Sequence, residues 1–368
     1  MRLLYITNQI CGAAGLERVL SIKASYLANK LNYEVHILTL NQKDTPLFYT
    51  FSDKIIHHDV SIKGNPLTYI YQYTTKLKTK VKEINPDIIS VCDDGLKAFF
   101  LPFIVGKNCP MIYERHVSKN IQTQTDNITF LQKIKTNFIY FLMNFTAKKY
   151  DKFVVLTEDN MEEWNLSNIM VIPNPLSFYP ETVSKLTNKK VLAVGRQCFQ
   201  KGYDRLLKSW KTISDKYPDW KLEIYGKIEN GEPYEKLAKT LNIEKSVSFF
   251  KPIKNIEDKY QEASIYVMSS RFEGFGMVLI EAMAYGVPCV SYDCPCGPKK
   301  IISNEKDGFL VENGNTEIFA NQIEKLILNE NLRFEMGKNA RKKASLYFPD
   351  NIVPKWDSLF NELIKNKG

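Results

Sequence analysis

Two glutamates, Glu273 and Glu281, hold the densest chemistry in the chain. They sit in Arg271-Phe272-Glu273-Gly274-Phe275-Gly276-Met277-Val278-Leu279-Ile280-Glu281-Ala282-Met283-Ala284-Tyr285-Gly286-Val287-Pro288. A strand pattern, 265–270, precedes the segment, and a glycine-punctuated turn opens a helix predicted from about Met277 to Tyr285. That helix is apolar nearly all round, Glu281 excepted. A buried carboxylate is costly unless it has a partner. Glu281 therefore needs either a ligand hydroxyl, such as a ribose offers twice, or a structural Arg or Lys. Glu273 precedes the helix, where polar side chains and free backbone N–H groups face the crevice beyond the strand ends. One ligand can touch both acids with an anionic portion at the helix start. Equally, Glu281 can pair internally and Glu273 can point to solvent. Spacing alone leaves the two readings level.

Other chemistry-bearing residues admit ordinary readings. His57 and His58 read as structural or exposed, and His36 alternates within a strand. Asp93-Asp94 has the look of a metal-binding acidic pair. Cys294-Pro295-Cys296 with Cys289 lacks a fourth ligand and a nearby histidine, so zinc is not expected. Gly12-x-x-Gly15 is a weak phosphate signal without the dinucleotide fingerprint or the P-loop lysine. Seven cysteines form an odd set without framework spacing, which favours a reducing compartment. The first residues, 1–7, read as a strand rather than a leader. The longest apolar run, 98–105, falls far short of the roughly 18 residues a spanning helix needs. The expected location is cytoplasmic.

Charge is unevenly spread. Residues 1–150 carry 19 Lys and Arg against 11 Asp and Glu, an excess of +8 out of the chain's +9. A basic first half suits an anionic partner such as lipid headgroups or a phosphorylated substrate, and equally an ordinary lysine-rich composition. Lys76, Lys78, Lys80 and Lys82 cluster. Residues 128–149 interleave Ile128, Phe130, Leu131, Ile134, Phe138, Ile139, Phe141, Leu142 and Phe145 with Lys133, Lys135, Lys148 and Lys149. As a helix, this suits a membrane interface, although a core helix is the commoner use of such a face. No zinc finger, RNP aromatic pair or Arg-rich arm points to nucleic acid.

These residues need elements to position them, and 368 residues suit two domains. Short β-rich runs alternate with helical patterns twice over. In the first half the runs are 3–7, 34–40, 87–92, 111–113, 152–156 and 170–172. In the second they are 191–195, 221–226, 247–250, 265–269, 289–292 and 308–311. Nearly continuous apolar strands separated by amphipathic stretches such as 16–30, 204–216 and 316–328 predict α/β architecture: parallel sheets covered on both faces. The seam falls at Ile172-Pro173-Asn174-Pro175, where two prolines stop regular structure. The expected division is 1–173, 174–349 and a final amphipathic helix, 350–368, carrying Trp356, Leu359, Phe360 and Ile364.

The Glu-Gly-Phe-Gly-Met…Glu-Ala-Met-Ala-Tyr-Gly-Val-Pro string, with seven residues between Glu273 and Glu281, resembles the E-x7-E region of family 4 retaining glycosyltransferases of the GT-B fold. Val194-Gly195-Arg196…Gln200-Lys201-Gly202-Tyr203-Asp204 is similar to the family's V-G-R…K-G-x-D segment. Val171–Pro175 is similar to its interdomain signature, and Cys294–Pro298 and Asp307–Val311 to its late segments. The match covers most of residues 151–348. The first half agrees in outline, through Gly12-Ala-Ala-Gly15-Leu-Glu17-Arg18.

The resemblance implies two facing Rossmann-like domains, the second holding a nucleotide sugar and the first an acceptor, with the final helix packing back on the first. Arg196 and Lys201 would be cations placed where a diphosphate leaving group gathers charge, an effect that counts most in the transition state. Without the flanking match they read as surface cations. Glu281 would bind the ribose and Glu273 the donor sugar, with Gly274, Phe275, Gly276, Met277 and Val278 covering sugar and phosphate. Gly12 and Gly15 would let the N-terminal loop approach the diphosphate. His116, or its neighbours Glu114 or Arg115, would touch the donor sugar.

The expected activity is retaining, metal-independent transfer of a hexose or N-acetylhexosamine from UDP-GalNAc, UDP-Gal or UDP-GlcNAc to a glycan acceptor. The resemblance points to surface polysaccharide or lipid-linked glycan assembly, with an anionic membrane surface as a candidate partner. No cofactor beyond the donor is expected. A nucleotide-sugar epimerase or phosphorylase on the same double fold, an inactive nucleotide-sugar binder and a nicotinamide dehydrogenase are the rivals. The missing G-x-G-x-x-G opposes the last.

Overall fold

The computed structural model describes residues 1–119, 129–228 and 233–367. The chain divides into two units, Met1–Pro175 together with Pro349–Gly368, and Leu176–Phe348.

Unit 1 holds strands β1 (Arg2–Ile6), β2 (Glu34–Leu40), β3 (Ile56–Val60), β4 (Ile88–Val91), β5 (Met111–Glu114), β6 (Lys152–Val155) and β7 (Ile169–Val171). They form one sheet in the order 3-2-1-4-5-6-7. Every pairing is parallel. The inner strands β1, β4 and β5 are buried almost throughout, as their unbroken apolar runs require. Helices α1 (Gly15–Lys30), α2 (Pro66–Ile84), α3 (Leu101–Val105), α4 (Phe130–Ala147) and α5 (Glu158–Glu162) follow the strands.

The apolar side chains fall into two sets. One joins Leu4, Ile89 and Phe153 to Tyr73 and Leu77 of α2, Leu101 of α3 and Met143 and Ala147 of α4. The other joins Leu3, Tyr5 and Ile112 to Leu20, Ala24 and Leu27 of α1 and to the C-terminal helix.

Unit 2 repeats the plan. Strands β8 (Lys190–Val194), β9 (Lys221–Tyr225), β10 (Val247–Phe250), β11 (Ile265–Met268), β12 (Cys289–Asp293) and β13 (Gly308–Glu312) run in the order 10-9-8-11-12-13, all parallel. Helices α6 (Tyr203–Lys216), α7 (Pro233–Thr240), α8 (Ile256–Glu262), α9 (Met277–Ala284) and α10 (Pro298–Ile301) separate them, and α11 (Thr316–Leu328) and α12 (Glu330–Ala344) follow the last strand. On α6, Leu206, Leu207, Trp210 and Ile213 make one helical stripe that packs against Phe319 and Ile323 of α11. The chain then returns to unit 1 as α13 (Pro349–Lys365). Its Ile352, Val353, Trp356, Leu359 and Phe360 are buried beside α1.

Two expectations need correction. Strand β3 is absent from the sequence reading, because it lies at the sheet edge, where Ile56, His57 and Asp59 stay exposed and no apolar run forms. The other is the helix expected over 128–149. Ile128 lies outside the described residues, and α4 is not an ordinary core helix. Only Thr136, Met143, Thr146 and Ala147 are buried on it, while Phe130, Leu131, Ile134, Phe138, Phe141 and Phe145 are exposed. One buried face is all that a helix packed on a sheet can use, and α4 carries a second apolar face besides.

Candidate active site

The carboxyl ends of β8 and β11 bring unit 2's chemistry together, as expected for an open parallel sheet. Gly195 follows β8 with φ near +156°, and its carbonyl accepts the Tyr203 hydroxyl at 3.0 Å. A Cβ on Gly195 would lie 3.0 Å from Lys201 Cε, so this glycine leaves room for the lysine stem. Arg196 is exposed and donates to Gln200 Oε1 at 3.0 Å.

Lys201 does not stand as a bare cation. Its ammonium lies 2.7 Å from Glu273 Oε1, and the Ser270 hydroxyl donates to the same oxygen at 2.6 Å. Glu273 is buried rather than solvated, because a cation and a hydroxyl from neighbouring loops satisfy it. A second ion pair fixes those loops. Arg271 grips Asp204 with two 2.8 Å bonds and donates to the Phe199 carbonyl at 2.8 Å. Burial works against the Asp204 carboxylate, but the Arg271 bonds outweigh it and hold the group below its usual range.

Glu281 is fully buried on α9, where two neutral hydroxyls reach it. The Ser177 and Tyr260 hydroxyls each donate to it at 2.9 Å. Residues 274–278 lead into α9 through Gly276, whose φ is +99°. A Cβ on Gly297 would collide with the Phe275 carbonyl, so Gly297, at φ +130°, locks the turn from behind. Phe275 is buried, and its ring meets Tyr347 edge-on at 5.6 Å. Met277 and Val278 are half-buried.

Unit 1 carries a second cluster. The Lys23 ammonium pairs with Glu114 in the core and lies 3.8 Å from the centre of the Trp356 ring. Glu114 also accepts from Ser90 at 2.5 Å and sits 3.3 Å from His116 Nε2. Burial alone would raise the Glu114 carboxyl, but Lys23 and His116 pull it down to about 2. Arg115 is turned inward, donating to the Val117 and Asp94 carbonyls. Of residues 114–116, only His116 keeps a buried ring nitrogen, Nδ1, without a hydrogen-bond partner.

Glu17 is a residue the sequence reading passed over. Its Oε2 is likewise buried and unpartnered. Burial pushes its carboxyl up, while its own backbone N–H and the nearby His116 work the other way. Gly12 leaves room for this carboxylate, since a Cβ there would push the tip of the Glu17 side chain aside. Gly15 opens α1 with nothing within 4 Å of where a Cβ would stand, and Ala14 leaves the helix start without a side-chain cap. The available signal was the acid in the first turn of a helix following a glycine loop.

Asp93 and Asp94 are structural. Asp93 accepts from Asn8 at 2.7 Å and from Gly95 N at 2.8 Å, and Asp94 accepts from His116 N at 3.0 Å. Cys92, Glu114 and His116 each place a possible ligand atom within 4.8 Å of the others. The Lys23 charge already sits on Glu114, however, and burial raises the Cys92 thiol well above its usual range. Both oppose a cation there.

A family model described as "Glycosyl transferases group 1" matches residues 179–343, almost all of unit 2. An uncharacterised glycosyltransferase of Haemophilus influenzae is 33% identical over 365 residues, covering 96% of this chain and 98% of that one. The chain belongs to the group 1 glycosyltransferases. The transferase is also 31% identical to the amylovoran biosynthesis glycosyltransferase AmsD of Erwinia amylovora, over 98% of this chain and 99% of that one. Its fold is that of the GT-B glycosyltransferases. A mutant of S. aureus TarM, crystallised with fondaparinux, α-GlcNAc-glycerol and UDP, superposes with a TM-score of 0.80 at 17% identity, covering 98% of this chain and 99% of that one. The transferase has no helix long and apolar enough to cross a membrane among its described residues.

Proposed function

We propose that this transferase moves a hexose or N-acetylhexosamine from a UDP-sugar (UDP-GalNAc, UDP-Gal or UDP-GlcNAc) to a glycan acceptor in surface polysaccharide assembly, retaining configuration and using no metal. The observation that carries this is the Lys201–Glu273 pair, fixed at 2.7 Å at the carboxyl end of unit 2's sheet beside Arg196. The amylovoran-related name of one relative and the UDP in the TarM structure support the polysaccharide and donor readings.

In this reading Arg196 and Lys201 meet the diphosphate. Lys201 divides its three donors between Glu273 and phosphate oxygen. Glu273 meets the donor sugar, and the backbone of residues 274–278 lies along sugar and phosphate. The ribose hydroxyls exchange with the Ser177 and Tyr260 hydroxyls at Glu281. Gly12, Gly15 and His116 are unit 1's contribution to the donor. The sugar C1–O bond to the diphosphate breaks, and a C1–O bond to the acceptor hydroxyl forms on the same face. The hydroxyl proton passes to the departing phosphate oxygen. No side chain serves as nucleophile. A lipid-linked glycan is the acceptor class that fits the basic unit 1, and the inner face of the cell membrane is the place of work.

Incubating the protein with a panel of nucleotide sugars in EDTA tests this. The expected result is slow release of UDP from one donor, with NMR showing the retained anomer on transfer. Binding without turnover of any donor would favour the inactive binder.

A further inference from the structure

Six large apolar side chains of α4 are exposed: Phe130, Leu131, Ile134, Phe138, Phe141 and Phe145, each at least 51%. At about 100° per residue, their directions fall within one arc of roughly 100°. The buried side chains, Thr136, Met143, Thr146 and Ala147, point to the other side, centred roughly 170° away. Lys135 and Lys133, both exposed, border the stripe on its two sides, and Lys148 and Lys149 continue it past the helix end. No Asp or Glu occurs between Thr129 and Lys149. Helix α2, whose Tyr73 and Leu77 pack in the same set as Met143 and Ala147 of α4, exposes Leu67 and Tyr71 and carries Lys78 and Lys82.

We propose that α4 lies in the plane of an anionic lipid surface, its phenylalanine stripe sunk among the acyl chains and its lysines on the headgroups. An apolar stripe with cations on both borders and no carboxylate matches that surface in charge and in polarity. A second copy of the chain seated on the same stripe would bring the lysine borders together, and like charges would oppose it. The helix lies on the bilayer rather than crossing it, since one of its faces is committed to the sheet. This deepens the membrane-surface part of the reading above and rests on it.

The test is co-sedimentation of the full chain with phosphatidylcholine vesicles, with and without phosphatidylglycerol. Wild type should pellet with the anionic vesicles and be released by salt. Phe138→Ser with Phe141→Ser should weaken binding by about tenfold or more. Lys133→Glu with Lys135→Glu should abolish the preference for phosphatidylglycerol. Both variants should keep the wild-type melting temperature and vesicle-free donor hydrolysis. As a second reading, the emission that Phe141→Trp adds should be quenched by brominated acyl chains. Wild-type binding left unchanged by both variants, or an added emission untouched by the bromines, overturns the assignment to α4 alone. Wild type left in the supernatant overturns the membrane reading as well. A dimer lost in the serine variant, without vesicle binding, assigns the stripe to a second copy instead. Donor hydrolysis judges the transferase reading separately.

Discussion

Replacing Lys23 by Met removes the cation from the buried Glu114 and leaves the carboxylate with Ser90 and His116. A carboxyl held at about 2 instead of 4.5 contributes roughly 3 kcal/mol at neutral pH. Because the folded value lies below the unfolded one, that stability is complete above about pH 4.5 and is lost as the pH falls toward 2. Losing one partner of a buried pair costs about 3–5 kcal/mol, since the remaining charge stays desolvated. Hydrogen exchange read on peptides of α1 and β5 separates unit 1 from unit 2. Protection in Lys23→Met should fall about a hundredfold or more at pH 7. The deficit should shrink at lower pH, because Glu114 without its cation takes up a proton readily in the core. Adding Glu114→Gln should recover part of the loss. Exchange within about threefold of wild type, or a deficit that does not change between neutral and acid pH, would refute the account.

Arg196→Ala and Lys201→Ala should each lower donor turnover by about 10²–10³-fold while the protein stays folded, by analogy with removing one charge-stabilising donor. Near-normal turnover would remove both from the diphosphate. Glu281→Gln should weaken free UDP by about tenfold in calorimetry, the scale of one lost charged hydrogen bond, and unchanged affinity would take the ribose away from Glu281.

The inner strands of unit 2 were legible because a parallel strand buried on both faces must be an apolar run. Edge strand β10 was legible because Val247, Phe249 and Phe250 keep it apolar even though Ser248 and Phe250 are exposed. Edge strand β3 gave no such sign. The segment from Arg271 to Pro288 announced a site, but not that Glu273 closes on Lys201, 72 positions earlier. No local pattern records a pairing across that separation. Glu281 showed its need for partners but not their identity, since Ser177 and Tyr260 come from a loop and from α8. His116, Glu114 and Arg115 were indistinguishable as three polar residues after a strand. Only the inward turn of Arg115 and the grip of Lys23 on Glu114 leave His116 with a spare nitrogen. The face that α4 turns to the sheet could not be chosen from the sequence, because apolar residues occupy most of its circumference.

Both ends of the polypeptide belong to unit 1, and the Leu176 N–H donates to the Tyr347 carbonyl at 2.6 Å. The way into unit 2 and the way out thus run side by side, through a single doorway. Unit 2 is therefore a cassette: a transplant from a relative needs just two cuts, both next to this bond, and the host keeps its own first strand and closing helix.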